Sequence, residues 1–320
     1  MRAVSVVHNQ VGTRESREHA RWVDAAWLGP SGAFEKLRGC PFRAMRSGKR
    51  PTDRTLPLGG VRLLLGCLVV GGAALAQQPP GIEDLQTLRA NPLSGLRTVT
   101  LQYQANVGTP APGDVQSVWT LQAVWPFPLG EHWSLITYPS LSVMSQLAPT
   151  SGDDRVAGLG DTIVTAVVTP TETGRLIWGT GAVLEIPTAT NRDLGTSRWA
   201  AGPALALFVQ PNPLTVGVLL ENAWSFTGGT DGEVNAFEAQ YFFTWNLPHG
   251  WFLQSNGTVT ANWKAEPMDR WTVPVGGGFG KVFTLGGQSW SSGAQVFYNA
   301  VHPSAGPEWS AGVSLQVLFP

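Results

Sequence analysis

From residue 96 to residue 319 the chain is a succession of segments, each roughly a dozen residues long, in which large apolar side chains fall on alternate positions. The last one shows the pattern. In "EWSAGVSLQVLFP", Trp309, Val313, Leu315, Val317 and Phe319 alternate with Ser310, Gly312, Ser314 and Gln316. A period of two describes a β-strand with one oily face and one wet face. Twelve such segments are marked out: 96–108, 115–126, 131–144, 158–169, 174–186, 199–211, 214–226, 234–247, 250–263, 270–283, 289–300 and 308–319. Strands of ordinary sheets run about 5–6 residues, whereas a tilted strand that crosses a bilayer needs about 9–11. The segments are too long for the first and long enough for the second.

Their connections alternate in length. "FPLG", "PTETG", "PNP", "LPHG" and "TLGGQ" follow the even-numbered strands, while the longest stretches, "SQLAPTSGDDRVAG" and "PTATNRDLGTSR", follow odd-numbered ones. Short turns at one end and longer loops at the other are the mark of an outer-membrane barrel, with the short turns periplasmic. The expected fold is therefore all-β: a transmembrane antiparallel up-and-down β-barrel of about 12 strands over 96–320, with a short helix before it at Ile82 to Arg89. A closed barrel leaves no unpaired backbone edge in lipid.

Tryptophan placement supports this independently. Trp125, Trp133, Trp178, Trp245, Trp251 and Trp290 lie near the short turns, and Trp119, Trp199, Trp224, Trp263, Trp271 and Trp309 near the long loops. Two belts of amphipathic aromatics mark two membrane interfaces. Core tryptophans of a soluble β-sandwich would instead fall in mid-strand. On the eighth strand Phe237, Ala239, Tyr241, Phe243 and Trp245 are assigned to lipid, and Glu238, Gln240, Thr244 and Asn246 to the lumen. The lumen reads as polar and mostly uncharged, with Gly179, Gly181, Gly276, Gly278 and Gly280 leaving space.

Composition agrees. Charged residues make up 13% of the chain, about half the usual share. Charge is split along the sequence: residues 1–76 carry 12 Lys/Arg against 5 Asp/Glu, and the remainder carries 9 against 17. "RTLPLGGVRLLLGCLVVGGAALAQQ" explains the split. It has the basic flank, short apolar run and small-x-small cleavage site of a secretory signal, with the cut expected after Ala76. Its apolar run is too short for a spanning helix. Acylation at Cys67 would leave an apolar stub on the mature chain. Met45 opens a good basic flank, so 45–76 is expected to be the signal peptide. Residues 1–44 are then a gene-model artefact or a disordered extension, and 77–95 a periplasmic segment carrying the short helix. That helix either stays in the periplasm or enters the lumen as a plug. Export by the Sec route to the cell outer membrane follows. Both cysteines, Cys40 and Cys67, precede residue 77, so the barrel offers neither a disulfide framework nor a cysteine metal site. No cofactor, no metal and no nucleic-acid partner is expected. The expected partners are outer-membrane lipid, the barrel insertion machinery and a small-molecule solute.

Several stretches carry a family likeness: "ANPLSGLRTVTLQYQANVG", "GLGDTIVTAVVTP", "LIWGTGAVLEIPTATNRDLGTSRWAAGP", "LTVGVLLENAWSF", "RWTVPVGGGFGKVF" and the terminal "LFP". Together they resemble a family of Gram-negative outer-membrane barrels. Its members are described as transporters or as proteins of a meta-cleavage pathway of phenol degradation. The resemblance spans 82–320 and implies a porin-like channel or facilitator for small, aromatic or apolar solutes.

Three carboxylates are assigned to the lumen near the long-loop end: Glu185, Glu221 and Glu238. A symmetric hairpin about the loop at 227–232 puts Glu221 opposite Glu238, which is unfavourable without a counter-charge. Arg198 has the parity to supply one. With Gln240 these residues form either a bracing network in the wall or a constriction favouring cationic or hydroxyl-rich solutes. His132 and Ser134 raise the question of a membrane-resident lipid-modifying enzyme. They have no third triad member, and their parity faces them away from lipid, so no catalytic residues are assigned. "VGGGFGKV" lacks the spacing and following hydroxyl of a phosphate loop. The alternatives to a channel are a non-transporting structural barrel or that enzyme. Phe319 is expected to close the barrel seam and to act as the C-terminal assembly signal.

Overall fold

The computed structural model describes residues 80–109, 114–147, 155–227 and 233–320. The expectations for 1–44 and 45–76 lie outside the described residues. A nine-residue helix, α1 (Ile82–Ala90), precedes fourteen strands: β1 (Arg97–Val107), β2 (Val115–Leu129), β3 (Trp133–Leu147), β4 (Arg155–Leu159), β5 (Thr162–Pro170), β6 (Leu176–Ile186), β7 (Ala200–Val209), β8 (Leu214–Ser225), β9 (Asn235–Asn246), β10 (Trp251–Ser255), β11 (Thr258–Asn262), β12 (Trp271–Leu285), β13 (Gln288–Val301) and β14 (Trp309–Phe319). All pairings are antiparallel. β4 and β5 share one place in the wall beside β3, and β10 and β11 share another between β9 and β12. The result is the twelve-strand barrel the periodicity predicts. β14 closes it against β1 in unbroken register, from Arg97 opposite Phe319 to Val107 opposite Trp309.

Both interruptions have identifiable causes. The fourth strand breaks at Gly160 and Asp161, where the Asp161 carboxylate turns to accept the amides of Ala189 and Thr196 from the loop after β6. The ninth breaks at Asn256 and Gly257. The Tyr241 phenol fills that gap and donates to the Pro274 carbonyl at 3.1 Å; a Cβ on Gly257 would lie 2.4 Å from its hydroxyl. Tyr241, assigned by parity to lipid, thus spans a break in the wall.

The outer surface is apolar. Leu101, Leu121, Val143, Leu205, Val216, Phe243, Leu253, Phe279, Val296, Val313 and Leu315 all point outward and are exposed. Soluble monomers rarely expose a contiguous apolar patch larger than a few hundred Å², so a belt around a closed barrel belongs in lipid. Trp133 and Trp178 meet edge-to-face at 6.1 Å near the short turns. Trp263 and Trp271 do the same at 5.5 Å near the long loops.

Candidate functional site

The lumen is where the structure departs from the sequence reading. Its half nearer the long loops carries the polar side chains expected, with two small apolar clusters among them, one around Ala200 and Ala236 and one around Leu194. Its half nearer the short turns is an apolar core. Ile136, Tyr138, Val167, Ile177, Phe208, Leu219 and Phe242 all face inward and pack with Leu93 from the segment after α1. A second cluster joins Leu85 of α1 to Leu96, Phe252, Val282 and Leu318. Leu318, the exception to alternation in the closing strand, is therefore the floor on which the helix rests. Most of the glycines expected to leave space are covered: Val167 lies over Gly179 and the Phe252 ring over Gly280, while Gly181, Gly276 and Gly278 abut neighbouring backbone. In close packing, a missing Cβ makes room for the neighbour's side chain rather than for solute.

The helix enters the lumen and plugs its turn end. Side-chain hydrogen bonds hold it there. Gln86 donates to the carbonyls of Trp251 (2.7 Å) and Leu247 (3.2 Å) in the β9–β10 turn. Gln210, in the β7–β8 turn, donates to the Thr87 carbonyl at 2.9 Å and accepts from Asn91 at 3.1 Å. Tyr138 donates from β3 to the Pro92 carbonyl. The β9–β10 turn admits the helix closely because Gly250 adopts φ +81, where a Cβ would sit 2.2 Å from the Val282 carbonyl oxygen; only glycine tolerates both demands. Beside the plug remains a chamber lined in part by Arg89, Thr98, Leu219, Gln240, Phe242 and Gln316. Its cavity volume of about 70 Å³ gives room for roughly five waters.

At the loop end the connection after β6 folds inward. Leu194 is fully buried against Val118 and Met144 of the barrel wall. Asp161 holds this loop through Ala189 N (3.1 Å), Thr196 N (2.6 Å) and Thr196 Oγ1 (3.0 Å). A chain of amides runs round the wall to it. Gln104 donates to Asn106, Asn106 to Gln116, Gln116 to Gln146, and Gln146 to the Asp193 carbonyl at 2.7 Å. Sequence reasoning missed Asp161, Gln116 and Gln146. Inward-parity amides on adjacent strands were the only signal for the two glutamines, and Asp161 had none.

The carboxylates sit below this loop. Glu221 lies directly across from Glu238 in the β8–β9 register, and Thr165 donates to Glu221 at 2.7 Å. Glu185 accepts from Thr196 at 3.4 Å, which brings it beside the inward loop. Gln240 is nearly fully buried, two residues from Glu238 towards the turn end. Arg198 donates to the Thr227 carbonyl at 2.8 Å, at the β8–β9 loop. There Lys264, bonded to Glu233, holds that carboxyl below its ordinary range, with Arg198 a smaller contributor. His132 is exposed in the β2–β3 turn, and among the described residues no hydrogen bond joins it to Ser134.

No protein-family model matches the chain, and no curated protein is similar to it in sequence. Solved structures are. An outer membrane channel from Pseudomonas putida F1 aligns with TM-score 0.54 and 17% identity, covering 70% of this chain and 96% of that one. Outer membrane phospholipase A from Escherichia coli aligns with TM-score 0.41 and 11% identity over 74% of this chain and 96% of that one. A Pseudomonas aeruginosa FadL homologue aligns with TM-score 0.34 and 13% identity over 69% and 74%. At 17% identity the first likeness is one of fold: this chain is built as an outer-membrane barrel is built.

Proposed function

We propose that the protein is an outer-membrane channel for small solutes, closed at rest by its own N-terminal segment. The plug carries this reading. Side chains alone fill a barrel of about eight strands, and twelve strands enclose more lumen than that. Here the filling is instead a separate helix, Ile82–Ala90, seated by a few hydrogen bonds to two turns. Such bonds contribute only about 0.5–1.5 kcal/mol each, and the buried Leu85 and Leu93 add about 1.5–3 kcal/mol each, so opening has to displace both kinds of contact. The Pseudomonas putida protein of like fold is named as a channel, which supports the same reading.

In this reading the segment 45–76 directs Sec-type export and is removed after Ala76, the short turns face the periplasm, and the insertion machinery recognises the strand ending in Phe319. The solutes are small and aromatic or apolar. Support for that comes from the apolar lower lumen and from the resemblance to the phenol-degradation family. Planar-bilayer recording of the refolded protein, together with solute flux into liposomes, tests the proposal. Discrete openings and flux of a small aromatic solute are expected. A folded barrel giving neither contradicts it.

A further inference from the structure

We propose that the chamber beside the plug is a binding site for a small monocarboxylate with an apolar body, held through Arg89. The inference rests on the channel reading and names the class of solute that path takes.

Arg89 lies in the last turn of α1 and points into the lumen. Its guanidinium stacks 3.8 Å from the centre of the Phe252 ring. Two of its nitrogens, Nε and one Nη, are shut off from solvent and have no hydrogen-bond partner. Among the described residues no carboxylate pairs with it. A cation buried this way is costly unless an anion joins it, and an aromatic face answers only part of that cost.

The groups around it are unsatisfied in the same manner. Gln240, which lines the chamber with Arg89, leaves its Nε2 without a partner. Thr98 leaves its hydroxyl so, and Gln316 its amide oxygen; both line the chamber with Arg89. Each of these three side chains is at least nine-tenths buried. Natural proteins leave few buried polar atoms unpaired, so such a group around one cation marks a place for a missing ligand. A guanidinium with converging amide and hydroxyl donors matches a carboxylate. A glutamine amide can turn to present its nitrogen. The adjoining wall, Leu219 and Phe242, is apolar and suits the body of the acid.

Glu221 and Glu238 lie two residues from Leu219 and Gln240, which line the far side of the chamber. Arg89 stacks on Phe252, which pairs with Asn246, six positions from Gln240 towards the turn end. The acid's carboxylate therefore belongs at the Arg89 end, with its apolar body between it and the two glutamates.

Titration calorimetry of the refolded full-length protein in detergent micelles tests the site, with sodium benzoate, benzamide and sodium phosphate as probes. Benzoate is expected to bind at least about tenfold tighter than benzamide or phosphate, as a charge-assisted contact plus apolar burial requires. Arg89→Gln should erase that preference and Arg89→Lys keep part of it, with both variants retaining the heat-modifiable gel mobility of a folded barrel. Gln240→Leu should weaken benzoate severalfold, which serves if Arg89→Gln fails to refold. Benzoate binding no tighter than benzamide or phosphate overturns the proposal, as does a preference that survives Arg89→Gln. Binding is read without conductance. A barrel that conducts but does not discriminate benzoate sinks this site and leaves the channel. One that discriminates benzoate but neither conducts nor passes solute sinks the channel and leaves the site.

Discussion

The two ends of the barrel are finished in opposite ways by the same strands. At the loop end most polar side chains are linked: Gln104, Asn106, Gln116 and Gln146 hand hydrogen bonds from wall to loop, Asp161 accepts three from the loop it anchors, and Asp114 and Arg270 each leave one buried atom over. At the turn end Arg89, Thr98, Asn246, Gln254 and Gln316 each leave a buried polar atom without a partner. A polar atom buried without a partner costs about 1–3 kcal/mol, so this imbalance is a large free-energy difference between two halves of one cylinder. It teaches that the inward loop is a fixed part of the wall, whereas the plug is a resident that can be displaced or joined by something else.

The sharpest way to break the comparison is to cut the tethers of the plug. Gln86→Ala with Gln210→Ala removes bonds worth about 2 kcal/mol together, which multiplies the unplugged fraction by about 30. Single-channel recording should show it as a rise in open probability. At the loop end the equivalent cut should act on stability instead. Gln146→Leu leaves the Gln116 amide and the Asp193 carbonyl unmatched, costing about 1–3 kcal/mol. Urea unfolding in micelles should register the loss, and open probability should barely move. A smaller effect is expected from Glu221→Gln with Glu238→Gln. If the facing carboxylates attract cations, reversal potentials in a salt gradient should show cation preference falling about twofold, on the order of 0.4 kcal/mol. Unchanged selectivity with altered stability would make them bracing groups only. The least effect belongs to Glu233→Gln. This carboxyl is exposed and held below its ordinary range by Lys264. Any stability it lends is present above the ordinary glutamate range and fades as pH falls through its lowered value. Melting at pH 7 and pH 3 should then differ slightly less in the variant than in the wild type.

How much of this was legible in the sequence follows from what each feature depends on. The strand set was readable because outward residues meet a single environment, lipid, and so alternate cleanly; the seam from Phe319 to Arg97 and the Glu221–Glu238 pairing follow from strand and hairpin register. The lumen was not readable in the same way, since it has two environments. Phe208, Leu219 and Phe242 have lumen parity but an apolar character that exists only because Leu93 comes to meet them. Nothing local announces that meeting. The helix at 82–90 was visible, but its destination depends on Gln86 and Gln210 bonding across long stretches of sequence. The same holds for the breaks at Gly160 and Gly257: at the first, Asp161 turns to the distant loop after β6, and at the second Tyr241 of β9 fills the gap. Arg198 had the parity to face the carboxylates, and its guanidinium also donates to the Thr227 carbonyl in the β8–β9 loop.

The central claim is that the lumen is closed at the turn end by the plug and not at the loop end by the inward loop. The most direct test compares single-channel conductance of the intact protein with that of a chain lacking residues 80–92, both shown to be folded by heat-modifiable gel mobility. The account predicts a permanently open channel of larger conductance once the segment is gone. A folded, plugless barrel with the conductance of the intact protein would put the barrier at the loop end and contradict it.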